Sequence, residues 1–356
     1  MNEYFYYDCN NGVVETPEER ASKLKRMRGL FSRVFLALFI YTVISQFLPV
    51  GLYVAASYFM PAEKYAEIAN NYTLSVIVSS AVQYVIAFPA LILSLIGVKT
   101  VEGKEKSRLD VKELLLLALI AQLLMYVGNL VGTFLNGIFG TFIGKTPENG
   151  VETLITELPI YLTILLAVVI APIVEELIFR KILIDRLGVY GDRLAIFFSA
   201  VAFGLMHANL YQFFYASLLG LLLGYVYTRT RDVRYTVLIH MLINFMGSAL
   251  VLPVEKAFTE FYSVLELASN GMPFDPIALL TSGIIVLVYS NLQYGMIVGG
   301  GFALWHYYKQ KKLTASNDKE IYLPDGEIIR GGIVNVGSIL FLSVSLIFTA
   351  INLFVS

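Results

Sequence analysis

The sequence predicts an all-α, polytopic bundle of transmembrane helices with about eight to nine spans. Three observations carry that expectation. Of the 356 residues, 57% are hydrophobic and 15% charged, where a soluble domain carries roughly 25% charged residues. Apolar runs long enough to cross a hydrocarbon core of about 30 Å recur along the chain. The cationic residues are also strongly one-sided in their distribution.

The first 29 residues are polar and end in the basic cluster Lys23, Lys25, Arg26 and Arg28. They read as a cytoplasmic N-terminal segment without a cleavable signal, so the first helix is expected to act as an uncleaved insertion signal. Cys9 is the single cysteine, which rules out an intrachain disulfide. It lacks the preceding apolar stretch of a lipoprotein signal. Candidate spans fall near residues 30–59, 73–98, 113–143, 159–184, 194–209, 211–228, 235–252, 278–306 and 333–355. The fifth and sixth are short and are separated only around Asn209, which predicts a tight helical hairpin. In domain terms, 30–158 are N-terminal transmembrane helices and 159–252 a polar-bearing core. Residues 253–356 are C-terminal helices with a loop at 307–332. The other long connection is expected at 253–277, and YLPDGEIIRGG at 322–332 has the turn chemistry of a small hairpin.

Alternating the connections from a cytoplasmic N-terminus puts 22 of the 26 Lys and Arg inside. The outer segments hold only Lys64, Lys145 and Lys256, and Arg33 lies at the start of the first helix. This positive-inside bias fixes the orientation, and an odd span count would put the C-terminus outside. The chain reads as integral to a membrane, with a bacterial plasma membrane the expected location. A net charge of −1 gives no reason to expect a nucleic-acid partner; the expected partners are the lipid bilayer and a membrane-associated peptide or protein. No internal repeat is evident, which weakens an inverted-repeat transporter.

Polar residues inside the spans carry the functional signal. The fourth span, IYLTILLAVVIAPIVEELIFRKILI, holds Glu175, Glu176 and Arg180. A charge near the bilayer centre costs at least about 2.5–3.5 kcal/mol, so it needs a partner, a cavity or a function. Glu176 and Arg180 are spaced i, i+4 on one helix face. Glu175 lies about 100° round the helix and is not held in that way, which makes it the better candidate for a base. Pro172, just before the pair, removes a backbone hydrogen bond and can expose a carbonyl. FGLMH places Phe203 and His207 at i, i+4, and HMLIN places His240 and Asn244 likewise. At about 1.5 Å per residue, Glu175 lies about 16 Å in from Arg186 and His207 about 21 Å from Arg193. On the same scale Asn244 lies about 15 Å and His240 about 9 Å from Arg234. Three helices thus bring polar groups to similar depth.

Each group also has a structural reading. The acidic pair with Arg180 could lock helices together, and a membrane histidine or asparagine is often an interhelical hydrogen-bonding group. His306, among Trp305, Tyr307 and Tyr308, fits an aromatic interfacial belt and takes no chemical role. Asn291 and Gln293 read as structural, and Gly220–Gly224 and Gly299–Gly301 as sites of close packing or a kink.

In this order, EELIFR at 175–180, FGLMH at 203–207 and HMLIN at 240–244 resemble the CPBP family. That family comprises CAAX-type prenyl endopeptidases and bacteriocin-processing, Abi-like membrane proteins. The resemblance covers roughly residues 159–250 and departs at Lys181, where many members have glycine. It implies an intramembrane endopeptidase with its active site within the membrane. Glu175 and His207 would activate water, and His240 and Asn244 would stabilise the oxyanion. Glu176 would belong to the site with them, and Arg180 and Phe203 would support it. The chemistry suits these residues. Peptide hydrolysis needs a base and, in a low-dielectric pocket, donors for the developing oxyanion.

Cofactor use stays open between none and Zn²⁺, for which Glu175, His207 and His240 form a possible ligand set. No His-Glu-x-x-His helix is present. Substrate identity does not carry over from the resemblance. Membrane Glu and His also build proton relays, so a proton- or ion-coupled transporter is one alternative. A non-catalytic immunity protein is another.

Overall fold

A computed structural model describes residues 6–7, 14–101, 107–144, 157–310, 312, 321 and 323–354. Cys9, Lys145 and residues 311, 313–320 and 322 of the expected loop at 307–332 lie outside the described residues. The helices are α1 (Pro17–Phe59), α2 (Ala62–Ala69), α3 (Tyr72–Ser94), α4 (Val111–Ile143) and α5 (Ile160–Tyr190). They continue with α6 (Asp192–Met206), α7 (Leu210–Thr230), α8 (Val233–Ser269), α9 (Pro276–Lys309), α10 (Asp325–Ile333) and α11 (Val336–Phe354). Tyr6–Tyr7 and Val14–Glu15 pair as short antiparallel strands, β1 and β2. Among the described residues, eight helices are long and apolar enough to cross a membrane: α1, α3, α4, α5, α7, α8, α9 and α11. The protein is an all-α integral membrane bundle.

Three elements differ from the expectation. α6 spans 15 residues, about 22 Å of rise, which is too short to cross about 30 Å. The connection expected at 253–277 is helical to Ser269, because Ala257, Phe261, Val264 and Ala268 form an apolar stripe at helical spacing. Hydropathy alone misses such a stripe among Glu255, Lys256, Glu260 and Glu266. The expected hairpin near 322–332 is instead helix α10. Pro324 precedes it, Asp325 and Glu327 complement its N-terminal dipole, and Ile328 is buried. α1 also starts earlier than its apolar run. Thr16 and Glu19 cap each other's backbone N–H groups ahead of Pro17, the reciprocal box that starts a helix, so the basic cluster rides on the first turns of α1.

The chain divides into two compact units. The first comprises residues 1–105, 178–209 and 315–356. Its core is aromatic: Phe31 meets Phe198 edge-on at 4.8 Å, and Phe35 packs on Phe341 at 5.8 Å. The second comprises residues 106–177 and 210–314, with α4 packed by α7 and α9. α4 and α7 approach backbone to backbone. A Cβ at Gly132 would stand 2.7 Å from the Tyr211 carbonyl, and one at Gly128 would overlap the Tyr215 backbone. The chain passes from one unit to the other within α5, between Leu177 and Ile178.

Four stretches widen to π-helical turns: Val82–Ala87, Ile164–Ile170, Leu177–Ile184 and Phe245–Ala249. Two of them end immediately before Phe88-Pro89 and Ala171-Pro172. A proline inside a helix crowds the carbonyl four residues back and lacks an N–H. The residue before each proline instead bonds five back, Phe88 to Gln83 and Ala171 to Leu166. Such wide turns are frequent at functional sites.

Gly128→Leu is expected to destabilise the protein by about 1–3 kcal/mol or more, as overpacking does. Gly137→Ala, on the same helix with nothing near its absent Cβ, should leave stability unchanged or slightly raised. Thermal unfolding of both variants in detergent checks the pair.

Candidate active site

The helix that carries both glutamates brings them to one imidazole. Glu175 and Glu176 stand on α5 just past the Pro172 turn, and His240 stands on α8 of the same unit. His240 Nδ1 lies 3.0 Å from Glu176 Oε1, and its Nε2 lies 3.7 Å from Glu175 Oε2. A carboxylate accepts and does not donate, so Nδ1 carries the proton of the shorter contact. That fixes the ring orientation and points Nε2 at Glu175. Glu176 is fully buried and the His240 side chain is 4% exposed, whereas Glu175 is 20% exposed. Of the two carboxylates, only Glu175 has accessible surface. The 3.7 Å gap is longer than a hydrogen bond.

One turn along α8 from His240, Asn244 is half-buried and donates from Nδ2 to the Ala167 carbonyl at 2.8 Å. This cross-link ties α8 to α5 eight residues before Glu175. Asn244 was expected to serve the oxyanion; one of its two amide hydrogens is committed here to backbone.

The first unit holds the other motif residues. His207 caps the C-terminal end of α6. Its Nδ1 donates to the Phe203 carbonyl at 2.8 Å, which leaves Nε2 of the neutral ring as the atom with a lone pair. The imidazole also packs edge-on against the Phe203 ring at 4.9 Å. The guanidinium of Arg180 lies over that ring at 5.1 Å, and Phe179 meets it at 5.0 Å. Arg180 is fully buried and donates from Nη1 to Ser199 Oγ at 3.0 Å, and Ser199 donates in turn to the Phe179 carbonyl at 2.7 Å. Lys181, the departure from the family pattern, pairs with Asp185 one turn on at 2.7 Å. The turn after His207 is strained, with Ala208 at φ 49, a region L-residues enter at a cost. The amide of Asn352 on α11 holds its carbonyl at 2.8 Å.

The structure thus gathers Glu175, Glu176, His240 and Asn244 within the second unit, and Arg180, Phe203 and His207 within the first. Among the described residues, no group of three or more His, Cys, Asp or Glu side chains is placed to hold a metal ion. Of the possible zinc set, Glu175 and His240 approach within 3.7 Å in the second unit, and His207 belongs to the first.

Three supporting groups escaped the sequence reading. Ser199 had a signal: it continues the Phe203–His207 face at i, i+4, i+8. The Ala167 carbonyl also had one, since it lies five residues before Pro172. Asn352 had none, because its partner is a carbonyl 144 residues away.

Comparison with known proteins gives two similarities. Residues 157–246 match the family model of type II CAAX prenyl endopeptidases, Rce1-like, and that stretch contains all three motifs. The chain is 28% identical over 199 residues to YdiL of Bacillus subtilis (strain 168), named as a candidate membrane peptidase; the match covers 53% of this chain and 79% of that protein. Together they support the reading of this chain as a CPBP-family membrane protease. No solved structure matches.

Ser199→Ala removes an acceptor from the buried Arg180 and a donor from the Phe179 carbonyl. It is expected to cost about 1–3 kcal/mol, read as a lowered thermal midpoint. Ser57→Ala, on an exposed hydroxyl bonded within its own helix, should fall within about 0.5 kcal/mol of wild type.

Proposed function

We propose that the protein is an intramembrane endopeptidase that hydrolyses peptide bonds of membrane-associated proteins or peptides, with Glu175 as the base. The observation that carries this reading is the buried array Glu176–His240–Glu175. One carboxylate is spent on orienting the imidazole, and the other remains partly accessible to water. A purely structural ion lock would have no need to leave the second carboxylate open.

In the proposed reaction, Glu175 takes a proton from water as the water oxygen attacks the scissile carbonyl carbon. His207 shares that task, its Nε2 left as an acceptor by the Nδ1–H bond to Phe203. Negative charge moves to the carbonyl oxygen, where the second amide hydrogen of Asn244 stabilises it, joined by His240 Nε2–H when that ring carries a proton on both nitrogens. The tetrahedral centre collapses, the C–N bond breaks, and the proton held by Glu175 passes to the departing amine. Glu176 keeps His240 in one orientation throughout. Arg180 and Phe203 position His207.

The CAAX-type family model and the peptidase relative support peptide hydrolysis; neither brings a substrate to this chain. The positive-inside bias supports a cytoplasmic N-terminus, and the bacterial relative supports a bacterial plasma membrane.

Glu175→Gln should remove cleavage by about 10²–10⁴-fold, and Glu176→Gln should lower kcat with little change in KM. The assay compares new protein N-termini in membranes from cells expressing wild type or either variant at matched levels. Cleavage products that persist undiminished with Glu175→Gln would sink the assignment of the base. Glu175-dependent solute uptake into proteoliposomes, without peptide products, would support the transporter alternative.

A further inference from the structure

We infer that Pro172, the Ala167 carbonyl and Asn244 form a positioning latch for the glutamate pair, an inference that rests on the proposed peptidase reading. In the five-residue register of this π-helical turn, Ala171 bonds Leu166. The next acceptor in that register is Ala167, and its donor would be the N–H of residue 172. Residue 172 is proline, which has none. A carbonyl at membrane depth left without a donor costs several kcal/mol. Asn244 supplies the donor from α8, at 2.8 Å.

The latch joins the two helices at a point that fixes the site. Ala167 and Glu175 are eight residues apart on α5, just over two turns, and Asn244 and His240 are one turn apart on α8. Holding Ala167 to Asn244 therefore sets how far α5 slides or rotates against α8. That in turn sets the 3.0 Å and 3.7 Å approaches of Glu176 and Glu175 to His240. The proline creates the vacancy, and the asparagine turns it into a bond that can be made in one register only. Asn244 thus acts on catalysis through α5 as a positioning residue, before any contact with substrate. Pro89 repeats the turn geometry in α3; in α5 the vacated carbonyl meets an asparagine.

A double-mutant cycle tests this. Asn244→Ala and the near-isosteric Asn244→Leu are each made in the wild-type and Pro172→Ala backgrounds, the latter returning an N–H to position 172. The purified full-length proteins are assayed for kcat and KM per folded enzyme on a membrane-tethered peptide that wild type cleaves in a Glu175-dependent manner. The latch predicts that loss of Asn244 lowers kcat rather than raising KM, and that the loss is smaller by about threefold or more in the Pro172→Ala background. The same sign of coupling is expected in the thermal midpoints. Equal losses of kcat in both backgrounds would overturn the latch and leave Asn244 as a direct oxyanion donor, with the peptidase reading intact. If wild type shows no Glu175-dependent cleavage, the peptidase reading fails instead. The coupling in thermal midpoints then decides the latch alone, and its absence overturns it.

Discussion

Glu176 has no exposed surface and His240 almost none, and the 3.0 Å contact between them constrains the structure around it. A buried carboxylate that loses its partner costs about 3–5 kcal/mol, so this pair cannot drift apart cheaply. α5 and α8 must therefore stay in register. Backbone-close packing of α7 on α4 at Gly128 and Gly132 stiffens the same unit. Asn244 closes the vacancy that Pro172 leaves in α5. Once His240 is pinned from one side, its other nitrogen faces Glu175, and a polar group that was expensive to insert becomes useful.

The second motif follows a similar logic on a smaller scale. His207 sits at the end of a short helix, where its Nδ1 can reach the carbonyl of Phe203. Phe203 is itself gripped between Phe179 and the buried guanidinium of Arg180. The spacing Phe-x-x-x-His is thus a means of fixing a tautomer, and Arg180 earns its burial by holding the aromatic ring beneath it as well as by bonding Ser199. In both halves a side chain that does no chemistry decides which nitrogen of a histidine is available.

Much of this was legible in the sequence because its signals are local. Hydropathy found the long spans, and polar side chains among apolar residues singled out Glu175, Glu176, His207, His240 and Asn244. The i, i+4 spacings found which residues share a face. What was missed was non-local or cryptic. The helix to Ser269 hides its apolar stripe among four charges, and α10 hides behind turn-forming residues that also start a helix. The pairing of Glu176 with His240 joins residues 64 apart, and no periodicity encodes it. The depth estimate placed His240 nearer the surface than Glu175, yet the two side chains approach within 3.7 Å. Helix ends and π-helical turns shift axial position by more than a residue count can follow.

The central claim is that water activated by Glu175 attacks a peptide bond. Oxygen-isotope labelling tests it most directly. Purified protein in lipid vesicles would be given a cleaved membrane-tethered peptide in H₂¹⁸O, with products read by mass spectrometry. General-base hydrolysis predicts one ¹⁸O atom in the new C-terminal carboxylate in a single turnover, and no such product from Glu175→Gln. Labelled product formed at the wild-type rate by Glu175→Gln would contradict it.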